Sequence, residues 1–341
     1  MLPSPDLQQS GSLPISYVLP ISASTAQTRA LSGYLLRLSR MVEEVIVVDG
    51  SEPAVFAAHA EAWGDHVRHL PVAAPTPNGK VGGVITGVMA ARHEQVVIAD
   101  DDVRYRRTEL AGMAALLARY DIVRPQNWFW PLPWHARWDT ARSLLARMGR
   151  GDWPGTLGVR RSGFVRAGGY AGEVMFENLE LVRTLKALGG RECVARDLFV
   201  VRRPPSTGHF LRQRVRQAYD ELARPCVLVG QLAILPVVLA LIASRRPRTL
   251  GALAMSAVAM AEAGRRRAGG QAVFPGSSAL WAPLWLAERA FTAWAALGTR
   301  LLFGGVRYRT GRLRHSATPN ATLRARLSGR SAHHQHEETQ A

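Results

Sequence analysis

The chain has very little cysteine and almost no lysine. Cys193 and Cys226 are its only two cysteines, which offer neither a disulfide framework nor the spacing of a zinc site, so the interior of a cell is the expected setting. Lysine occurs only at Lys80 and Lys186, so nearly all of the 43 basic residues are arginine. Acidic side chains are fewer, 26 in number, and the net charge is +17. Such basicity suits nucleic acid, anionic lipid or phosphorylated substrates, and charge alone does not choose among them. A secretory leader is not expected either: Met1 to Ser12 is polar, and the apolar stretch after it is broken by Pro14 and Pro20.

What is present is a strand ending in acid. Val96 to Ala99 is an apolar run that stops at Asp100, Asp101 and Asp102. Three adjacent carboxylates repel one another, so a positive group is expected nearby. In open α/β sheets ligands lie beyond the carboxyl ends of strands. Hard cations such as Mg²⁺ are commonly held there by one or two carboxylates plus substrate phosphates. Alternation along an extended segment would place Asp100 and Asp102 on one side as the metal pair, with Asp101 on the other. A solvated turn or a helix cap before Thr108 is the structural alternative.

The 341 residues allow one large domain with an appendage, or two domains. Ile15 to Ile21 reads as a first strand, followed by a helical pattern through Leu31, Leu35 and Leu38. A second apolar strand stops at Asp49, Gly50 and Ser51, and strand, helix, strand is how a parallel α/β sheet begins. Asp49 suits hydrogen bonds to a nucleotide, or the cap of a following helix. After a weak strand near Val67 to Val72 comes a glycine-rich loop, Thr76 to Val88. Its Gly79, Gly82 and Gly83 would let backbone approach a ligand, and Lys80 suits phosphate.

This order of motifs resembles the family 2 glycosyltransferases, over roughly Ile15 to Pro225. The resemblance implies the GT-A nucleotide-sugar-binding fold, an α/β sheet flanked by helices. It further implies that Asp49 contacts the nucleoside, that Lys80 and Asp101 lie near the donor, and that Asp100 and Asp102 handle a metal-bound diphosphate. The cation would be Mg²⁺ or Mn²⁺, and UDP-sugars are the common donors of this family.

Downstream, Trp128, Trp130, Trp134 and Trp138 crowd a proline-containing stretch. Aromatics this dense suit a membrane interface, a sugar-stacking platform, or simply a core. His135, Asp139 and Arg142 lie among the rings, and Trp134, His135, Trp138 and Asp139 are the acceptor candidates. Phe176 to Gly189 has the spacing of an amphipathic helix, with Glu177 in its first turn and Glu180 one turn along. In the family this region carries a Glu-Asp pair whose Asp is the base. Here the pair is Glu177 and Asn178, and an amide cannot take the proton, so either Glu177 or Glu180 is the base, with Glu177 preferred, or the chain is catalytically impaired. Members of the ceramide glucosyltransferase and cellulose synthase kind place a Gln-x-x-Arg-Trp motif on an interfacial helix. Gln213 and Arg216 match it, Gln217 replaces the Trp, and both matching residues are donor-side candidates.

Cys226 to Ala243 is uncharged, apolar and close to the ~20 residues that span a bilayer. A second run, Thr249 to Ala261, is short; a third, Ala279 to Phe303, carries Glu288 and Arg289. Two or three membrane helices are therefore expected, with the basic stretch Gly304 to His315 on cytoplasmic headgroups. The expected organisation is a flexible start over 1–12, a transferase domain over 13–224, a membrane region over 225–305, and a basic, disordered end over 306–341. The leading expectation is an inverting glycosyltransferase of the cell inner membrane, its catalytic domain cytoplasmic, acting on a lipid or membrane-associated hydroxyl. The rival is a membrane-anchored nucleotide-sugar-binding protein without turnover; nucleic-acid binding rests on charge alone and is not expected.

Overall fold

The computed structural model describes residues 11–26, 29–308 and 311–327. The start of the chain expected to be flexible, 1–10, and the histidine-rich end, 328–341, lie outside the described residues. In chain order the first elements are β1 (Leu13–Ile21), α1 (Ala30–Leu38), β2 (Val42–Asp49), α2 (Pro53–Trp63), β3 (Arg68–Pro71), α3 (Gly79–Ala90) and β4 (Gln95–Ala99). Then follow β5 (Val103–Arg104), α4 (Arg107–Leu117), β6 (Ile122–Phe129), α5 (Trp134–Met148), β7 (Thr156–Arg160), α6 (Arg161–Ala167), α7 (Glu177–Ala187) and β8 (Glu192–Arg202). The last are α8 (Thr207–Arg212), α9 (Arg214–Tyr219), α10 (Pro225–Ala243), α11 (Pro247–Arg266), α12 (Ala282–Phe303) and the strands β9 (Val306–Tyr308) and β10 (Gly311–Leu313).

Two compact units emerge, and they do not follow the chain. The first contains Met1–Pro125, Pro154–Gly172 and Thr184–Val200; the second contains Gln126–Trp153, Glu173–Arg183 and Val201–Ala341.

The first unit is built on an eight-stranded sheet in the order β3-β2-β1-β4-β7-β6-β8-β5. β1 pairs in parallel with β2 and with β4, and β2 in parallel with β3. Their apolar runs are buried on both faces, as in Ile46, Val47 and Val48, because helices cover parallel strands. The other side is mixed: β7 runs antiparallel to both β4 and β6. β7 was not legible as a strand, since Thr156–Arg160 is short and its Gly158 replaces an apolar residue. That glycine lies against Met113, where a Cβ would come within 2.6 Å of the sulfur.

The expected glycine-rich loop is instead a helix. Gly82 and Gly83 lie inside α3, where a Cβ at Gly83 would stand 2.8 Å from Pro20 and one at Gly82 would strike the Ala74 carbonyl. A Cβ at Gly87 would collide with Val18 of β1. These glycines let α3 close onto the sheet and leave no room for a ligand at their own backbone.

The second unit is helical. α5 packs against α11 and α12, and α12 against α9 and α10. Gly264 of α11 faces the Leu144 carbonyl so closely that any side chain would overlap it. Arg147 of α5 is fully buried and donates to the carbonyls of Gly264 and Arg267 and to Gln126. Among the described residues one helix, α10, is long and apolar enough to cross a membrane. α11 buries Ala257, Ala261 and Gly264, and α12 buries Trp285, Arg289 and Ala293, so each gives one face to the protein. The basic stretch after Phe303 does not lie loose: β9 and β10 form a hairpin, and His315 and Ser316 accept hydrogen bonds from Met175 and Phe176 at the start of α7. Residues 320–327, expected to be disordered, form a helix with Leu323 and Leu327 buried.

Candidate functional site

In the first unit the parallel strands β2, β1 and β4 end at one edge, so Asp49 and Asp100 share it. β1 is flanked by β2 on one side and β4 on the other, with the chain crossing over through α3. This is a topological switch point, where ligands of open α/β sheets bind. Lys80, in the first turn of α3, holds Asp100 in an ion pair, Nζ to Oδ1 2.5 Å, with both side chains about one-fifth exposed. One of the chain's two lysines is therefore the cation that the acidic cluster called for. The loop before α3 is tied down by Asn78, whose amide donates to the Gly172 carbonyl, and by Thr76, which accepts from Gly82.

The acidic run itself is a turn. The Val103 amide donates to the Asp100 carbonyl across it, so the alternation of an extended strand does not apply to Asp100, Asp101 and Asp102. Asp101 is exposed, and its carbonyl accepts from Arg104. Among the described residues no three His, Cys, Asp or Glu side chains converge as a metal cage. Two hard carboxylates, Asp100 and Asp102, are nevertheless the donor set expected of a cation that completes its shell with phosphate oxygens and water. The residues present fit such an ion.

Asp49 is placed differently from the expectation that it contacts a nucleoside directly. It is 2% exposed and accepts from the Ser51 amide at 2.9 Å, with His59 Nδ1 at 2.7 Å and His69 Nε2 at 3.2 Å from its other oxygen. His59 stacks on Trp63 and His69 on Phe56. Burial opposes ionisation of Asp49, but the hydrogen bonds from Ser51, His59 and His69 outweigh it and hold the carboxyl below its usual range. For His69 burial dominates over its Asp49 partner and lowers its affinity for a proton. Sequence reading missed both histidines, because nothing in their spacing ties them to Asp49; only the packing of α2 and β3 beside β2 does.

In the second unit the aromatic stretch forms a real cluster. Trp134, 45% exposed, and Trp138 both meet Phe210 edge-on, and Trp138 stacks on Trp281, which sequence reading had not singled out. His135 is bound at both ring nitrogens, by the Pro205 carbonyl and Thr207. Asp139 is buried between Arg142 at 3.2 Å and Arg214 at 3.4 Å. Burial would raise its pKa, but Arg142 and then Arg214 overcome this and hold it low. Arg142 also binds Asp152, and Arg214 binds Glu288 at 3.3 Å. Asp139 thus serves an ion-pair network.

Glu177 is the first residue of α7 and half-buried. Glu180 is fully buried and accepts from the Thr318 amide at 2.6 Å, so the segment after the β9–β10 hairpin closes over it. Gln213 contacts His209, and the Arg216 guanidinium lies 5.1 Å from the Tyr308 ring. Structure adds Asp220, four residues beyond Arg216, as a group the sequence reading passed over. One of its carboxyl oxygens is shut off from solvent with no hydrogen-bond partner. Burial, then repulsion from Glu177, push its pKa up to about 8, against the opposing pull of Arg216. An Asp just after an amphipathic Arg-rich helix was the available signal, but a surface cap has the same appearance.

No family model and no curated protein matches the chain. Among solved structures it is similar to a mannosyltransferase from Pyrobaculum calidifontis in complex with GDP-Man and Mn²⁺, at 16% identity and a TM-score of 0.48, covering 95% of this chain and 81% of that one. It is also similar to mannosyl-3-phosphoglycerate synthase from Rubrobacter xylanophilus, at 16% identity and a TM-score of 0.42, covering 60% and 71%. A third is glucosyl-3-phosphoglycerate synthase from Mycobacterium tuberculosis with Mn²⁺, UDP and glucosyl-3-phosphoglycerate, at 20% identity and a TM-score of 0.40, covering 59% and 77%.

Proposed function

We propose that this protein is a membrane-bound inverting glycosyltransferase that moves a sugar from a nucleotide-sugar to a hydroxyl of a lipid or membrane-associated acceptor. The observation that carries this reading is the Lys80–Asp100 ion pair at the carboxyl edge of β1 and β4, where a strand-end acid, a phosphate-seeking amine and a switch point coincide. Asp100 and Asp102 would hold Mg²⁺ or Mn²⁺, which when bound offsets charge on the departing diphosphate. Lys80 adds a second positive charge there once the anion enters. Asp49, held by His59 and His69, fixes the turn at Ser51 beside the nucleoside end of that edge.

On the acceptor side Glu177 is the base. Direct displacement requires it to take the proton of the attacking hydroxyl as the new bond to the anomeric carbon forms and the bond to diphosphate breaks, which inverts that carbon. Asp220 keeps its proton to about pH 8, so near neutrality it is uncharged and leaves the base role to Glu177. Glu180, closed over by Thr318, is better suited to anchoring α7. Trp134 and Trp138 offer ring faces to a sugar or to the membrane boundary. α10, 19 residues long, is the membrane anchor, and the exposed apolar residues of α11 and α12 rest in the same bilayer.

The test is a thermal-shift screen of nucleotide-sugars with and without Mn²⁺ or Mg²⁺, since a ligand of the folded state raises its apparent stability. Replacing Asp102 with Ala should abolish the metal-dependent part of the shift. Glu177→Gln should spare that shift and remove transfer of labelled sugar. A Glu177→Gln variant with full turnover would move the base elsewhere, and donor binding without transfer in wild-type protein would favour the non-catalytic binder.

A further inference from the structure

Arg289, on α12, is 1% exposed. Its Nε and Nη1 are buried without a hydrogen-bond partner, and it forms no ion pair among the described residues. Its nearest aromatic support is the Trp285 ring, 5.1 Å from the guanidinium carbon. Leaving a guanidinium buried and unmatched costs several kcal/mol.

The acids around it are taken by other arginines. Glu288 pairs with Arg214, Asp139 with Arg142 and Arg214, and Glu221 with Arg224 at 2.5 Å. Five further N–H donors are buried and unmatched in the same unit: Nε of Arg214 and Arg224 and the indole nitrogens of Trp128, Trp138 and Trp285. Four acceptor atoms are unmatched as well, Oε1 of Glu180, Oδ1 of Asp220, Oε2 of Glu221 and Oε1 of Gln231. The surplus is therefore in donors, and one full positive charge lacks a direct counterion. Meanwhile the outer side of the same helix shows Leu284, Phe291 and Trp294 to the surroundings.

We propose that Arg289, with Arg214 and Trp285, forms a binding site for a monoanionic oxyanion carried on an amphiphile, a phosphodiester or carboxylate headgroup, and that this group belongs to the acceptor. This rests on the membrane transferase reading. Nε–H and the Nη1 amino group leave the guanidinium in different directions, so an oxyanion takes one charge-assisted bond from Arg289, and Nε of Arg214 and the indole nitrogen of Trp285 supply the others. A single unbalanced charge matches a single negative one. An ionisable residue on an apolar helix, turned inward with its partner missing, marks a ligand path more often than a structural need.

The experiment uses the full chain in a neutral detergent, with affinity taken from ligand-dependent thermal shifts. The probes are dioleoylphosphatidylglycerol, oleate, neutral monoolein and inorganic phosphate. Wild-type protein should respond to phosphatidylglycerol or oleate and not to monoolein, and Arg289→Gln should weaken that response about ten- to a hundredfold, the loss of a charge-assisted bond. Arg248→Gln, a surface control, should change it less than about twofold. Arg289→Met, measured without any anion, should melt no lower than wild type. An unaltered response in Arg289→Gln overturns the site, as does an equal loss in Arg248→Gln. A lower melting point for Arg289→Met overturns it too, because Arg289 would then already be satisfied internally, for instance by a water shared with Glu221. If inorganic phosphate matches the lipids, the amphiphile assignment fails. The Mn²⁺-dependent donor shift, read in the same variants, reports separately on the transferase reading.

Discussion

Replacing Asp220 with Asn should make the protein clearly more stable at alkaline pH and only slightly more stable in mild acid. In the unfolded chain an Asp ionises near its ordinary 3.8, whereas the folded protein keeps the Asp220 proton to about pH 8. Between those values the folded state binds more protons than the unfolded one, so stability falls as pH rises, and it levels off above the folded value. Four pH units at about 1.4 kcal/mol each set a ceiling near 6 kcal/mol; side-chain relaxation and water entry bring the expected loss to about 3 kcal/mol. Asn has the shape of the protonated acid and never has to ionise. The assay is thermal unfolding of both proteins from pH 5 to 9 at fixed ionic strength in a neutral detergent. Their melting points should lie within about 3 °C of each other at pH 5, where only about one of the four pH units has been crossed, and at pH 9 the variant should lie roughly 5–10 °C higher. A variant that follows the wild-type curve at every pH, or melts lower at pH 9, would show that Asp220 is not the strained acid its surroundings imply.

Two other substitutions test the packing and the ion-pair network. Gly87→Ala gains about 1 kcal/mol of helix propensity but drives a methyl into Val18, and overpacking of that kind costs about 1–3 kcal/mol, so denaturant unfolding should show a net loss. Asp139→Ala strips Arg142 and the buried Arg214 of a shared partner and should cost about 3–5 kcal/mol in the same measurement; a loss below 1 kcal/mol would mean that their existing pairs with Asp152 and Glu288 suffice.

Much of the fold's first half was legible. The runs at Ile15, Glu43 and Val96 are β1, β2 and β4, because strands buried on both faces are apolar at nearly every position; the buried Ser16 and Glu44 bond each other. The spacing of Leu181, Val182 and Leu185 gave α7, and all three are buried. The glycines after Thr76 misled. A ligand-binding loop and a helix pressed against a sheet both require residues without a Cβ, and local sequence does not separate them. β7 was hidden for a related reason, since Gly158 accommodates Met113 from α4, far away in the chain.

The apolar runs near the end show the same boundary. Composition alone singled out α10, because a helix that meets lipid all round must be apolar all round. It did not assign α11 and α12, whose inner faces are fixed by α5; in α12 the charges Glu288 and Arg289 are turned into the protein.

Residue types and their order alone determined where the acids, the amine and the apolar runs lie, since backbone periodicity and burial act along the chain. The tertiary structure alone decided which groups meet. Lys80 reaches Asp100, His59 and His69 close on Asp49, and Asp220 stands near Glu177 because strand pairing and helix packing join segments that share no local signal. The strength of a charge interaction depends on distance and burial, and neither is written in the spacing of residues along the chain.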